Sequence, residues 1–405
     1  MSSRLRPHRC ALFALVTALL LTGCTSADAP GRAALPTNAT PSPTVAVTPV
    51  PQSQSAIHHV FVIVLENSPY AQSYGPGSKY AYLSQTLRRQ GTLLSQYYGT
   101  AHYSLGNYLA MIGGVAPNKD IQLDCGHYRN MISPRPAADG QVKASTGCIY
   151  PAWTPTLVGQ LADAHLTWRG YLEDMGNLSG REQATCGKPG LGPFSADRTQ
   201  KAAPGDAYTA RHNPFLYFTS VVDTAACAQN VGPLPRLTGD LASAATTANF
   251  SFIVPSLCND GHDATCVGQP AGPEAEDAWL ATWVPRITAS PAFRADGALI
   301  IVNDEADGDS SACCREPSGP NVAYPGGPVE ALKSAPGGGK GGGRIGALIL
   351  SPFVRADATS STPYNHYSLL RSIEDIFGLR HLGYADQPTL RPFGSDVWLP
   401  AARTG

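Results

Sequence analysis

The sequence predicts an α/β fold, a mainly parallel central sheet with helices on both faces, from three observations. Residues 59–65 and 298–302 are continuous apolar runs rich in β-branched side chains, with no polar alternation, so each reads as a strand buried on both faces. Strand-type runs alternate with helix-type periodicity along the chain, the order that lays parallel strands between helices. Both apolar runs also end in pairs of oxygen donors, Glu66-Asn67 and, after Asn303, Asp304-Glu305, where ligands of such sheets gather.

The elements follow in order. A strand over 58–65 leads through a loop to a helix over 82–91. Residues 97–103 are a polar-aromatic connection, and a short helix over 104–112 ends at Gly113-Gly114. A helix over 155–164 has Pro near its start and sets Leu157, Leu161 and Ala164 on one face. Strands over 166–172 and 248–255 come next, then a helix over 277–287 that turns Trp279, Leu280 and Trp283 inward. Strands over 297–302 and 345–350 close the sheet, and a helix over 367–377 follows His366.

The chain starts as an exported protein does. Arg4, Arg6 and Arg9 precede an apolar stretch over 11–21, and Leu21-Thr22-Gly23-Cys24 matches a bacterial lipobox, with Cys24 as the lipidated residue; a plain signal peptide is the alternative. The apolar stretch is shorter than the ~20 residues of a spanning helix. Residues 24–56 are rich in Pro, Thr, Ser and Ala and read as an extended tether, reaching roughly 100 Å at ~3 Å per residue. Residues 57–405 then form the folded, functional domain. An extracytoplasmic, membrane-anchored location follows, or secretion if the lipobox is not used.

Loss of residues 1–23 removes three arginines and no acids, leaving 26 basic against 30 acidic residues. That balance gives no electrostatic reason to expect nucleic acid as a partner. Eight cysteines lie beyond Cys24, an even count that favours disulfides in an exported chain. Pairing by neighbourhood gives 125–148, 186–227, 258–266 and the vicinal 313–314. A zinc cluster is the rival, but no paired Cys-x-x-Cys units support it.

The four donors Glu66, Asn67, Asp304 and Glu305 suit a hard divalent cation of the Mg, Ca or Mn class. Ser104, at the start of a helix, reads either as a capping serine or as a nucleophile aided by the helix dipole and a metal. Asp260 and His262 follow a third buried strand in a tight loop, and with His102, Arg211-His212 and His366 they supply polar groups for a metal or a phosphoryl group. No Gly-x-Ser-x-Gly elbow surrounds Ser104. Residues 337–344 contain six glycines, Lys340 and Arg344, but lack the Ser or Thr and the following helix of a nucleotide P-loop; a flexible lid and a surface loop are both open.

Glu66-Asn67, His102-x-Ser104-x-x-Asn107-Tyr108, Asn259-Asp260-x-His262-Asp263, Asp304-Glu305, Gly343-Arg344-x-Gly346-Ala347 and Asn365-His366-Tyr367-Ser368 occur in this order. Together they resemble the bacterial phosphoesterase family of acid phosphatases and phospholipases C, within the alkaline phosphatase superfamily, over about residues 58–385. Family members often place Pro before the Ser and the Asn, where this chain has Tyr103 and Gly106. The resemblance implies an alkaline phosphatase-like fold and phosphate ester hydrolysis through a seryl-phosphate. It makes Glu66, Asn67, Asp304, Glu305, Ser104 and Asp260 metal ligands, and Ser104 the nucleophile as well. His102, His212, His366 and His262 become catalytic groups, and Asn107, Arg211 and Arg344 substrate contacts. The implied substrate is a small phosphate ester or a phospholipid. Monoesters, including phosphoinositides, compete with a phospholipase C-type diester reaction, and a lipid-anchored protein that binds phosphate compounds without turnover is a separate class. A sulfatase is disfavoured, since no Cys-x-Pro-x-Arg signature stands at the nucleophile.

Overall fold

The computed structural model describes residues 56–327 and 334–400; the expected leader, the Cys24 lipidation and the tether ahead of residue 56 lie outside them. The centre is an eight-stranded sheet of β1 (His59–Leu65), β2 (Thr92–Leu94), β3 (Trp168–Leu172), β4 (Val231–Pro233), β5 (Phe250–Val254), β6 (Gly297–Asn303), β7 (Ala347–Leu350) and β8 (Ala358–Ser360). Their spatial order is β8-β2-β7-β6-β1-β5-β3-β4. β1 pairs in parallel with β5 on one side and β6 on the other, in a register that sets Leu65 opposite Asn303.

Burial on both faces explains the unbroken apolar sequence of β1, and the alternation of the pleat sorts its side chains into two cores. Val60, Val62 and Val64 join one core, which also holds Leu105, Leu109 and Ile112 of helix α1 (Ser104–Gly113) and Leu369, Leu370 and Ile373 of a C-terminal helix, His366–Phe377. Helix α2 (Leu157–Asp163) adds Leu157, Val158 and Leu161 to the same layer, and the Thr156 side chain caps its first turn by accepting from Gly159 N–H. Phe61, Ile63 and Leu65 face the other core, with Trp279, Leu280, Trp283 and Ile287 of helix α3 (Pro273–Ala289). The C-terminal helix His366–Phe377 is α4; it ends at Gly378 in the left-handed conformation.

Two features depart from expectation, and a third, the direction of β7, is one the sequence leaves open. The helix expected over 82–91 is present but irregular: a π-helical stretch, Tyr82–Leu87, runs into a 3₁₀ turn, Arg88–Gln90, and the Asp277 carboxylate holds its start by accepting from Tyr82 and Leu83 N–H. β7 runs antiparallel to both β6 and β2, because the long excursion after β6 stays on the site side of the sheet and the chain must run back down from there. β2, β4 and β8 were not expected as strands; each has three residues, too few for a period-2 signal.

The four disulfides are Cys125–Cys148, Cys186–Cys227, Cys258–Cys266 and Cys313–Cys314, the pairs expected from neighbourhood. Among the described residues no helix is long and apolar enough to cross a membrane. Cys125–Cys148 closes a loop of 23 residues in sequence separation, which restricts the unfolded chain by about 3 kcal/mol. The Cys125→Ser/Cys148→Ser protein is expected to lose about that much stability in urea unfolding; an unchanged midpoint would contradict this.

Candidate metal and catalytic centre

Three strand ends are tied together before any side chain is considered. Beyond β1, Glu66 N–H donates to Asp260 O at 2.7 Å, and beyond β6, Asp304 N–H donates to Leu65 O at 2.9 Å. Asn67, at φ 62, turns its N–H onto Asp304 Oδ1 at 3.1 Å, and Asn303 Nδ2 donates to Glu66 O at 3.2 Å. Glu66, Asp260, Asp304 and Glu305 are thereby brought into one buried cluster. Gly261, at φ +100, belongs to this frame: a Cβ there would lie 2.4 Å from Glu276 Oε2 and 3.0 Å from Glu66 O.

The cluster is electrostatically incomplete. Burial pushes Glu66 well above the usual carboxylate range, and Asp304 and Asp260 push it further; Asp304 is raised by burial and by Glu305, and Asp260 by burial and by Asp304 and Asp263. Asp304 Oδ2 is buried and has no hydrogen-bond partner. Burial, then the neighbouring Arg211 and His262, hold His212 well below its ordinary value, so its ring is neutral. Nδ1–H of His212 donates to Asp260 Oδ2 at 3.1 Å, which leaves the Nε2 lone pair facing Glu66 Oε1 at 3.3 Å. Lone pair against lone pair is the arrangement a cation relieves. Glu66, His212 and Asp260 each offer a ligand atom within 4.8 Å of the others, a set that fits a divalent ion.

Ser104 stands at this cup. It opens α1, is buried, and donates its hydroxyl to Glu66 Oε2 at 2.8 Å. One helical turn on, Tyr108 donates to Glu66 Oε1 at 2.8 Å and stacks on the His212 ring at a centroid distance of 5.1 Å. Asp124 Oδ1 accepts from Leu105 N–H at 3.0 Å in the first turn of α1, and burial raises Asp124 against the pull of Arg211. In the sequence Tyr108 stands within its motif but is given no role, and Asp124 is not singled out. Tyr108 could have been found from its i+4 spacing to Ser104; Asp124, in a loop far from any motif, carried no signal.

His102 is buried beside Glu305, with Nδ1 2.8 Å from Glu305 Oε2 and Nε2–H donated to Asp309 O at 2.9 Å. Burial alone would lower its pKa, but Glu305 outweighs that and His102 is pushed up to about 9, a fixed positive charge at neutral pH. Asn107 has its amide committed within its own loop: Oδ1 accepts from Thr100 and Ala101 N–H, and Nδ2 donates to Ala101 O. It clamps the segment that delivers His102 and Ser104.

His262 accepts from Arg211 at 3.0 Å through Nε2 and donates from Nδ1 to Asp263 at 2.7 Å; Arg211 also donates to Gln200 O. This pair adjoins His212 through the ring contact of His262, centroids 5.9 Å apart. His366 lies behind the cup, Nε2–H on Asp304 O at 2.7 Å and Nδ1 accepting from Tyr97 OH at 3.2 Å; burial lowers it to about 4 and keeps it neutral. Arg344 is not gathered into the cluster: its guanidinium lies 3.9 Å over the Tyr70 ring and Nε donates to Ser95 O. The glycine segment is neither lid nor surface loop at its C-terminal end. Gly341, Gly342 and Gly343 are buried, and Gly342 bridges Gly99 O and Ala306 N–H. A Cβ on Gly342 would sit 2.4 Å from Ala101 O, so only glycine lets this strap pass between the two site loops.

A model of the phosphoesterase family matches residues 78–380. A probable acid phosphatase of Kluyveromyces lactis is 25% identical over 335 residues, 82% of this chain and 61% of its own length. A phosphate-repressible acid phosphatase of Penicillium chrysogenum is 24% identical over 302 residues, 74% of this chain and 55% of its own. The chain therefore spans little more than half the length of these fungal relatives. A phosphatidylinositol-3-phosphatase of Mycobacterium tuberculosis is 24% identical over 340 residues, 84% of this chain and 82% of its own. Among solved structures, a protein in the alkaline phosphatase superfamily from Vibrio parahaemolyticus aligns at TM-score 0.47 and 10% identity, covering 84% of this chain and 72% of that one.

The raised groups fix the sign of a pH effect. Glu66, Asp260, Asp304, Glu305 and His102 all have folded-state pKa values above their ordinary ones. These five groups bind more protons in the folded chain than in the unfolded one and cost stability as pH rises, from the ordinary carboxylate range upward through the His102 value; His212 and His366, held low, act in the opposite sense but are outnumbered. In chelator, thermal unfolding is expected to move to lower temperature between about pH 5 and about pH 8. Added divalent cation is expected to raise the midpoint most at the upper end. A midpoint indifferent to cation at both ends would contradict the site.

Proposed function

Because the chain belongs to the phosphoesterase family, we propose that it is a metal-dependent hydrolase of phosphate monoesters acting through a phosphoserine at Ser104. The observation that carries this reading is the 2.8 Å hydrogen bond from Ser104 Oγ to Glu66 Oε2, which points a buried hydroxyl into the carboxylate cup at the start of α1. Glu66, Asp260, Asp304 and His212 would hold a divalent cation, with Asn67 and Glu305 adjoining. The ion is of the Mg, Ca or Mn class by its oxygen donors, and the His212 nitrogen also tolerates a softer one. When bound, it would neutralise phosphoryl charge and favour the ionised serine.

The protein's own part is positioning and charge. Ser104 Oγ attacks phosphorus as its proton passes to Glu66, the ester P–O bond breaks, and the alcohol leaves with that same proton, handed on by Glu66. Water then cleaves the phosphoserine and restores Ser104. His102 stays protonated and offsets charge from Glu305; with both ring nitrogens occupied, it is a fixed cation rather than a proton donor. Arg211 and His262, joined by one hydrogen bond, would face the nonbridging oxygens. His366 and Asn107 act as positioning residues, one on the Asp304 main chain and one on the loop bearing Ser104.

The relatives, two acid phosphatases and a phosphatidylinositol-3-phosphatase, favour monoesters over diesters. Four disulfides fit an oxidising, extracytoplasmic compartment. Lipidation at Cys24 would tether the domain to the membrane there. Ser104→Ala is expected to lower turnover of p-nitrophenyl phosphate by at least about 1,000-fold, with the thermal midpoint kept, since the serine side chain makes a single hydrogen bond. A wild-type rate in that variant would end the nucleophile assignment.

A further inference from the structure

The segment after Met131 forms a two-strand ladder, Arg135–Pro136 against Val142–Lys143, whose register sets Arg135 directly opposite Lys143. Like charges placed opposite each other destabilise a ladder unless something between them is negative. Lys119 brings a third cation to the same cavity of about 260 Å³, which is also lined by Ser133 and Asn321 and contains no Asp or Glu. Asp120, beside Lys119, is engaged elsewhere: it accepts from Arg129 at 3.0 Å and from Gly147 N–H at 2.8 Å. Among the described residues none of the three cations has a carboxylate partner, in a chain whose formal net charge is −1.

The pocket is built rather than incidental. Asn321 pins its far wall, donating to Val142 O at 2.8 Å and accepting from Ala144 N–H at 3.0 Å. Four residues further along that wall, Pro325 O accepts His102 N–H, while Lys119 precedes Asp124 on the segment that meets α1. Both walls thus continue into the candidate centre, but the pocket shares no residue with it.

We propose that Lys119, Arg135 and Lys143 form a second anion site that binds a phosphate group without hydrolysing it. Three exposed cations lining one cavity offset the charge of a phosphate, and Ser133 and Asn321 supply polar contacts at its edge. Ile132, half exposed at 52%, is an apolar neighbour on the rim that suits the headgroup of an anionic phospholipid as well as a free anion. The shared chemistry is the phosphate group, and the two sources separate by experiment. The site stands independently of the phosphoesterase reading.

The test uses the full chain carrying Cys24→Ser, so that an N-terminal lipid plays no part, with and without Lys119→Gln/Arg135→Gln/Lys143→Gln. Equilibrium dialysis with radiolabelled inorganic phosphate, and co-sedimentation with phosphatidylcholine vesicles with and without phosphatidylinositol phosphate, are the two probes. The triple variant is expected to lose one phosphate site, or to bind the charged vesicles roughly 100-fold more weakly, with p-nitrophenyl phosphate turnover unchanged. Loss with phosphate alone identifies a free anion as the ligand, and loss with vesicles a headgroup. The charge-preserving Arg135→Lys/Lys143→Arg variant is expected to bind as the parent does. Unaltered binding of both probes by the triple variant, or equal loss in the charge-preserving one, would overturn the proposal.

Discussion

The parallel pairing of β1 with its two neighbours is the constraint on which the rest of the site depends. With Leu65 opposite Asn303 and Glu66 N–H on Asp260 O, the residues that directly follow β1 and β6, and Asp260 from the loop after β5, are forced into the same buried volume. A one-residue slip would turn Glu66 to the other face of the sheet. The register is fixed because each face of β1 is packed into a different core, so a slip would expose or bury the wrong set along the whole strand. Two unit charges about 4 Å apart repel by about 4 kcal/mol at an effective dielectric constant of 20. Four carboxylates in such a cluster are tolerated only with protons or cations among them, and the fold supplies His102 and Arg211, too few to balance the set.

The remaining parts of the centre serve to hold this frame open to one hydroxyl. Tyr108 and Ser104 each take one oxygen of Glu66 from the same side of α1, which fixes the plane of the carboxylate. Asn107 closes the loop ahead of the helix, and Gly342 threads between that loop and the one after Asp304. His366 holds the Asp304 main chain from behind. Most of the polar side chains around the cup therefore position others, and the chemistry falls to a few.

What could be read from the sequence follows from range. Apolar runs and their terminal acids are local, so β1, β6 and the pairs Glu66-Asn67 and Asp304-Glu305 were visible, and with them the parallel sheet. The division of labour among polar residues was not, since it depends on contacts far apart in the chain. Local sequence leaves His212 open between a metal and a phosphoryl group, and the structure sets it among the candidate ligands; the resemblance makes Arg344 a substrate contact, whereas its guanidinium packs on Tyr70. Asp124 meets the first turn of α1 from a separate loop, beside Cys125 of the Cys125–Cys148 disulfide, a placement set by contacts far apart in the chain. The glycine run looked free by composition, but its tight packing depends on neighbours no local pattern encodes.

The central claim is that one cation completes the buried cluster formed by these strand ends. Anomalous diffraction at the manganese edge from crystals of the full chain, grown with manganese and again after chelation, tests it most directly. A single strong peak is expected within coordination distance of Glu66, Asp260, Asp304 and His212, absent after chelation. A manganese bound elsewhere, or a vacant cluster in a protein that still hydrolyses phosphate esters, would contradict the account.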